Sequence, residues 1–181
     1  MLLRTVHGFS LCLLLASVWP AAGMAQGHAD EERDWGIAPS AVLRRPPYTA
    51  PTPREIPGAA VVNTAQLVAL LASGEPPLLV DVLSSDGHVS LPSALWISGA
   101  GRGSNFFDPV QAAFGDALGR ITQGDKNRGL VFFCANVQCW LSYNAALRAG
   151  VLGYTRAYWY RGGIEAWRAA GNPLQALGAP R

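Results

Sequence analysis

Cysteine and histidine are scarce in this sequence, and charge of neither sign is in excess. Its 181 residues include three cysteines and three histidines, and 14 basic against 12 acidic residues give a formal net charge of +2. Nucleic-acid-binding proteins usually carry a clear basic excess, so this balance argues against that class. The cysteines also lack the nearby pair of histidines that would complete a zinc ligand set. We therefore predict no metal site and no bound cofactor.

Long hydrophobic runs are absent beyond the first 25 residues. There, Arg4 precedes an apolar run at residues 9–18, and small residues lead up to Ala25. This pattern is typical of a secretory signal peptide. The run is shorter than the roughly 20 residues that a membrane span needs, which argues against an uncleaved anchor. We expect cleavage after Ala25, removal of residues 1–25 together with Cys12, and a periplasmic mature chain outside the membrane.

Residues 26–57 form an extension with prolines at positions 46, 47, 51, 53 and 57. Proline-rich runs resist helix formation and favour an extended, semi-rigid chain. Two alternatives stay open. The extension is a mobile arm, or Trp35 and Tyr48 anchor it to the surface of the domain. The folded domain itself is predicted to span residues 58–176.

Within that domain, short apolar runs alternate with segments of helical periodicity. Strands are predicted just after residue 59 and at residues 78–82, 94–98, 130–133 and 155–160. Helices are predicted between residues 64 and 73 and at residues 108–121, 141–149 and 163–171. Such alternation implies parallel strands joined by right-handed crossovers. The predicted fold is α/β, with a central parallel sheet covered by helices on both faces.

Three side chains that could take part in catalysis or binding lie at the ends of predicted strands, where functional groups of parallel sheets collect. Cys134 follows the strand at 130–133, Asp81 belongs to the end of the strand at 78–82, and Arg161 follows the strand at 155–160. We expect all three at one edge of the sheet. Cys134 is the candidate nucleophile, and Asp81 and Arg161 are candidates for the edge of its site. For Asp81, a structural role in bonding loop backbone is favoured over catalysis.

The segment after Cys134 must curl, because a helix begins near Cys139 or Trp140. A short loop that enters a helix turns backbone N–H groups inward, and the helix N-terminus adds partial positive charge. Both features stabilise a thiolate or a persulfide without a histidine base. The other interpretation is that Cys134 is only a small buried apolar residue. The predicted substrate-binding loop consists of Ala135, Asn136, Val137, Gln138 and Trp140.

Several segments resemble the rhodanese-like domain, the fold of single-domain sulfurtransferases. VFFCANVQCWLS is similar to the reactive loop of that family, YWYRGGIEAWRAAGNPL to its C-terminal signature, and LLVDV to its strand that ends in aspartate. The resemblance covers roughly residues 60–175. It implies a rhodanese-like fold and a sulfurtransferase or sulfur-carrier activity, with Cys134 as the persulfide-forming nucleophile. Leu83 stands where active members usually hold an arginine, Cys139 where they hold an arginine or another polar residue, and Trp140 where they hold a serine or threonine. The resemblance therefore leaves turnover of thiosulfate as an open question.

The cysteine pair followed by Trp140, together with the upstream LPSALWISGAGRG, resembles a narrower group. These are the periplasmic CXXCW-motif rhodanese-like proteins associated with pyrroloquinoline quinone (PQQ)-dependent catabolism. The resemblance implies an accessory role in PQQ-dependent alcohol oxidation. It also implies a periplasmic PQQ dehydrogenase or a cytochrome c as partner. Nothing in the sequence suggests that this chain binds PQQ itself.

Cys139 leaves three alternatives open. It resolves a persulfide or mixed disulfide on Cys134, locks Cys134 in a structural disulfide, or stays a free thiol. Four intervening residues on a curled loop allow the Cα separation of about 4.4–6.8 Å that a disulfide needs. Three functions accordingly remain: sulfur transfer or carriage, thiol–disulfide redox chemistry, and binding by a non-catalytic domain. The expected partner of the pair is a small sulfur donor or a protein thiol.

Overall fold

The computed structural model describes residues 30–85 and 87–177. The predicted signal peptide lies outside these ranges, as do residues 26–29 of the predicted extension. Across the part of the chain that is described, no helix combines the length and the apolar character needed to cross a membrane.

Helices and strands alternate along the described domain. In chain order the elements are β1 (Ala60–Val62), α1 (Thr64–Leu71), β2 (Leu78–Asp81), β3 (Val89–Ser90), β4 (Leu95–Trp96), α2 (Pro109–Thr122), β5 (Leu130–Phe133), α3 (Trp140–Val151), β6 (Ala157–Tyr160), α4 (Gly163–Ala169) and β7 (Gln175–Ala176). Five strands form a parallel sheet in the order β1-β6-β5-β2-β4, and β3 and β7 form a short antiparallel pair. This confirms the predicted α/β fold.

Two hydrophobic clusters show that helices cover both faces of the sheet. On one face, Phe114 of α2 packs against Phe132 of the central strand β5, and Leu147 of α3 belongs to the same cluster. On the other face, Leu67 of α1 and Trp167 of α4 belong to the second cluster. All four residues of β5 are buried, as expected for a parallel strand covered on both sides.

Helix starts follow local capping chemistry. Asn63 caps α1 in a capping box with Gln66, and Asp108 caps α2 with Pro109 in its first turn. Helix α3 is longer than predicted, because it begins at Trp140 and ends at Val151. The two-residue strands β3 and β7 were not predicted, since two residues are too few to show an alternating pattern.

A buried ion pair joins α3 to the loop before α2. The Arg148 guanidinium, which is fully buried, donates from Nη2 to the Asp108 carboxylate at 2.8 Å. Its Nη1 donates to Gln111 at 2.8 Å and to the carbonyl of Asn105 at 3.1 Å. A Cβ at position 103 would overlap the side chains of this pair, so only glycine fits at this position of the loop. The pair holds the loop against α3.

Asp108→Asn is expected to destabilise the protein near neutral pH and much less in strong acid. Burial alone would raise the pKa of Asp108, but hydrogen bonds from Arg148 and from the Gln111 amide lower it to about 2. A carboxyl whose folded-state pKa is depressed stabilises the fold above its unfolded pKa, and this contribution is lost as pH falls through the folded pKa. Urea unfolding of both proteins between about pH 6 and pH 2 measures the effect. A gap in unfolding free energy that persists at the acid end would contradict it.

Candidate active site

Cys134 lies at the carboxyl end of β5, in the middle of the sheet, and is disulfide-bonded to Cys139. Their Cα atoms are 6.2 Å apart. Only 1% of Cys134 and 9% of Cys139 is exposed. Both belong to the cluster that α2 and α3 build on one face of the sheet. The disulfide fits two of the three alternatives for Cys139: a structural disulfide, and the oxidised state of a pair in which Cys139 resolves a species on Cys134.

Only part of the expected ring of backbone N–H groups is free to face the sulfur. The amide of Gln138 donates to the Asn136 side chain at 3.0 Å, and the amide of Cys139 donates to the Asn136 carbonyl at 3.0 Å. The amide of Trp140 donates to the carbonyl of Tyr48 at 2.9 Å. These three groups therefore cannot also hold an anion on Cys134. The amides of residues 135–137 remain for that role.

Helix α4 closes the loop from the other side through a pair of glycines. The amide of Ile164 donates to the Cys134 carbonyl at 3.0 Å, and the amide of Glu165 donates to the Ala135 carbonyl at 2.9 Å. Gly163 has a φ of +61°, and a Cβ there would overlap the Cys134 carbonyl oxygen. This close backbone approach gives the Gly-Gly pair of the C-terminal signature its physical reason.

The proline-rich extension crosses directly over the cysteine loop. We call residues 48–52 the cover segment. Thr49 forms an antiparallel bridge with Cys139, and the amide of Ala50 donates to the Gln138 carbonyl at 2.9 Å. The Trp140 indole, which the sequence analysis placed in the substrate-binding loop, donates to the carbonyl of Pro51 at 3.2 Å. Trp140 thus lies beneath the cover segment.

Arg161 anchors the extension instead of facing the sulfur. Its guanidinium is 2% exposed and donates to the carbonyls of Glu31, Arg33 and Thr52, at 2.8, 2.8 and 3.0 Å. It also lies 4.9 Å from the ring centre of Trp35, the residue proposed as an anchor from sequence. Burial, and after it the charge of nearby Arg54, lowers the pKa of Arg161. Its donors are therefore engaged and unavailable to an anionic substrate.

Asp81 lies at the expected edge of the sheet but on the other face. It pairs in register with Phe133, so its side chain points away from the face that Cys134, one residue further, occupies. The fully buried carboxylate accepts hydrogen bonds from the Leu83 amide at 2.9 Å and from the hydroxyl of Ser90. His88 lies 2.9 Å from it. The structural role favoured for Asp81 matches these contacts, and the structure does not bring it together with Cys134.

A cleft of about 450 Å³ lies against the outer side of the cysteine loop. Residues 136–138 form one wall and α4 forms another, and neither cysteine lines it. Its charged lining residues are Asp30, Glu31, Glu165 and Arg33. Three carboxylates against one guanidinium make this approach unfavourable for a dianion such as thiosulfate. Within residues 30–85 and 87–177, no cluster of histidine, cysteine and carboxylate side chains is suited to a metal ion.

Two residues that the sequence analysis did not single out connect the extension to the site. Thr52 accepts from Arg161 at 3.0 Å and donates to the Val137 carbonyl of the cysteine loop. The Glu31 carboxylate accepts from the hydroxyl of Thr64 at the start of α1, at 2.8 Å. No sequence pattern marks these residues, because each bonds to a group far away along the chain.

The fold and the position of the cysteine define a known class of domain. The family model described as "Rhodanese-like domain" matches residues 63–170. The chain therefore belongs to the rhodanese-like domain family. No curated protein matches it.

Several solved structures are similar to this chain at low sequence identity. A rhodanese-like domain from Anabaena sp. is 17% identical with a TM-score of 0.40, and the match covers 55% of this chain and 98% of that one. A full-length protein from Lactobacillus plantarum is 16% identical with a TM-score of 0.43, covering 62% and 83%. A polysulfide-sulfur transferase homodimer from Wolinella succinogenes is 13% identical with a TM-score of 0.43, covering 67% and 82%. Similarities at this level assign no function to the chain.

Proposed function

We propose that this rhodanese-like protein accepts sulfane sulfur on Cys134 and that Cys139 resolves the resulting persulfide. The observation that carries the proposal is the placement of Cys139 within disulfide reach of Cys134, at a Cα separation of 6.2 Å, on the loop that holds the family's nucleophile. Membership of the rhodanese-like family supports sulfur chemistry at Cys134. A cysteine so close limits the lifetime of any persulfide formed there.

The proposed sequence has two thiol-exchange steps. The Cys134 thiolate attacks the outer sulfur of a donor persulfide, so that a persulfide forms on Cys134 and the donor leaves as a thiolate. The Cys139 thiolate then attacks the Cys134 sulfur, which forms the disulfide and releases hydrosulfide. An external dithiol returns the pair to two thiols and is itself oxidised to a disulfide.

The surroundings of the loop favour a donor with less negative charge than thiosulfate, or a donor sulfur carried by a protein. Arg161, the cation predicted at the edge of the site, already donates to backbone carbonyls of the extension. The adjacent cleft carries Asp30, Glu31 and Glu165. A dianion would meet these three carboxylates with Arg33 as the one cation among the lining residues. Cysteine persulfide or a protein persulfide fits the site better.

Thiol–disulfide exchange is the second candidate function, and the Cys134–Cys139 disulfide favours it. A partner thiolate attacks one sulfur of the bridge, forms a mixed disulfide and releases the other cysteine as a thiolate. A second thiol of the partner then resolves the mixed disulfide. The partner leaves oxidised, and the pair is left as two thiols. No persulfide occurs on this route, which makes the two candidates separable.

Cys139→Ser is expected to accumulate a persulfide that the natural chain cannot keep. After reduction and incubation with cysteine persulfide, intact mass should show one added sulfur atom per molecule of Cys139→Ser, removed by a thiol reductant. The natural chain should return to its disulfide with release of hydrosulfide, and Cys134→Ser should gain no sulfur. Thiosulfate should load Cys139→Ser at least tenfold more slowly.

The same measurement decides between the two functions. If Cys139→Ser takes up no sulfur from any donor, while the natural disulfide opens readily with dithiols, then sulfur transfer is wrong and thiol–disulfide exchange stands. If Cys134→Ser loads as well as Cys139→Ser does, then the sulfur-bearing cysteine is misassigned.

We also propose, from the resemblance to the CXXCW-motif group, that the chain is exported to the periplasm. In that setting it would assist PQQ-dependent alcohol oxidation, with a PQQ dehydrogenase or a cytochrome c as partner. The support is the cysteine pair followed by Trp140. Trapping through Cys134→Ser in periplasmic extract tests this, because a partner cysteine bound at Cys139 would be retained as a mixed disulfide. Recovery of neither a PQQ dehydrogenase nor a cytochrome c from that extract would contradict it.

A further inference from the structure

We infer that the face of the cysteine loop under the cover segment is the docking surface for an extended, cysteine-bearing segment of a partner protein. The cover segment occupies this surface as an intramolecular stand-in, with Thr49 in the place of the partner's cysteine. The inference rests on the proposed function, because the partner's cysteine is the group that exchanges with the Cys134–Cys139 pair.

The cover segment is held in the manner of an added strand. The carbonyl of Tyr48 accepts from the Trp140 amide and the amide of Ala50 donates to the Gln138 carbonyl, both at 2.9 Å. These two bonds flank the bridge between Thr49 and Cys139. Backbone pairing of this kind gives affinity without requiring one side-chain sequence, so another extended segment can replace it.

The register places residue 49 where an exchanging thiol is needed. Because the flanking bonds involve residues 48 with 140 and 50 with 138, Thr49 and Cys139 form a non-hydrogen-bonded antiparallel pair. Directly opposed residues of such pairs have Cβ atoms roughly 4.5–5.5 Å apart, with their side chains close. A cysteine in the register of Thr49 therefore brings its sulfur next to Cys139.

Exchange cannot occur while the cover segment is in place. The two cysteines are 1% and 9% exposed, so a partner must take the position of residues 48–52 to reach them. Thr49 itself is exposed and forms no side-chain hydrogen bond within the described residues. The segment is held by these backbone bonds, by Thr52, and by the Tyr48 hydroxyl, which accepts from the Gly103 amide at 3.1 Å. A competing strand with a tyrosine and a threonine in these registers can replace the bonds one for one.

The covalent step is a balanced exchange. The partner thiol loses its proton to solvent, and its thiolate attacks the Cys139 sulfur. A new disulfide forms between the partner and Cys139, the Cys134–Cys139 bond breaks, and Cys134 leaves as a thiolate. No oxidant or reductant other than the partner thiol is consumed.

A peptide that copies the cover segment tests the inference on the full mature chain. The peptide has the sequence of residues 45–53 with Thr49→Cys, and its control has the same composition in scrambled order. The rate of mixed-disulfide formation, followed by intact mass, should be at least tenfold higher for the copied sequence, and the peptide should map to Cys139. Equal rates for the two peptides, or attachment at Cys134, would overturn the inference.

A matched pair of variants tests the role of the cover segment. Ala50→Pro removes the N–H that donates to Gln138 and should raise the rate with the copied peptide about tenfold. Ala38→Pro is the control: Ala38 also precedes a proline in the extension, and its amide donates to no described residue. Equal rates for the two variants would show that residues 48–52 do not compete with the peptide.

The outcomes separate this inference from the proposed function. If the copied peptide exchanges selectively and Cys139→Ser holds no sulfur, the docking surface is supported and only sulfur transfer is contradicted. If Cys139→Ser takes up sulfur but the two peptides exchange at equal rates, only the docking surface is contradicted.

Discussion

Gly163→Ala should destabilise this protein by about 4 kcal/mol, more than most single substitutions do. Gly163 begins α4 with a φ of +61°, and a Cβ there would overlap the Cys134 carbonyl oxygen and lie 2.8 Å from the carbonyl carbon of Ala135. Both contacts are with backbone at the end of the central strand. Relief requires α4 to move away, which breaks the hydrogen bond from the Ile164 amide to Cys134.

Gly171→Ala provides the control for backbone strain. Gly171 also has a positive φ, +74°, but a Cβ there would meet nothing within 4 Å. The free energy of unfolding of this variant should fall only by the cost of the left-handed backbone conformation, about 1–2 kcal/mol. Urea unfolding of the three proteins measures the difference. Equal losses in the two variants would show that the close approach at the cysteine loop contributes nothing.

Arg161→Met should release the extension from the domain and uncover the cysteine pair. The substitution keeps an unbranched side chain but removes donors to Glu31, Arg33 and Thr52. Hydrogen bonds from charged donors contribute about 1.5–3 kcal/mol each, so their combined loss exceeds what the backbone bonds at residues 48–50 can hold alone. Trypsin should then cut after Arg33 and Arg54 at least tenfold faster. Alkylation of the reduced cysteines should accelerate by a similar factor.

Arg156→Met is the matched control for this experiment. Arg156 lies just before β6, is exposed, and pairs with Glu75 at 3.4 Å at the surface. Its loss should leave trypsin cleavage of the extension and cysteine alkylation at the rates of the natural chain. An Arg161→Met protein that resists trypsin as the natural chain does would refute the anchoring role of Arg161.

The sheet and the place of Cys134 could be predicted because their causes are local. The buried run LVFF can only be an interior strand, and the residue after it must lie at the carboxyl end of the sheet. The same reasoning placed Asp81 and Arg161 at that edge, but it does not say on which of the two faces of the sheet each side chain lies. The alternation along β2 turns Asp81 to the opposite face from Cys134.

The contacts of the extension could not be predicted, because they carry no periodic signal. Tyr48 accepts through its backbone carbonyl and Ala50 donates through its backbone amide, groups that all residue types except proline share. Arg161 donates mainly to backbone carbonyls and has no acidic partner among the described residues, so the sequence does not show which residues it binds. Proline content favours an extended, semi-rigid chain, but it does not decide between a mobile arm and an anchored one. Contacts with residues about 100 positions away along the chain decide where residues 30–57 lie.

The bridge between Thr49 and Cys139 couples two equilibria that are otherwise separate. The two equilibria are the oxidation of the cysteine pair and the binding of the extension to the domain. A change in the bonding of Cys139 alters the surface that residues 48–52 contact. The hydrogen bond from Arg161 to Thr52 transmits this change to the rest of the extension. Coupling of this kind is reciprocal. A protein that binds the extension therefore shifts the reduction potential of the cysteine pair. By the same free energy, reduction of the pair changes the affinity of the extension for that protein.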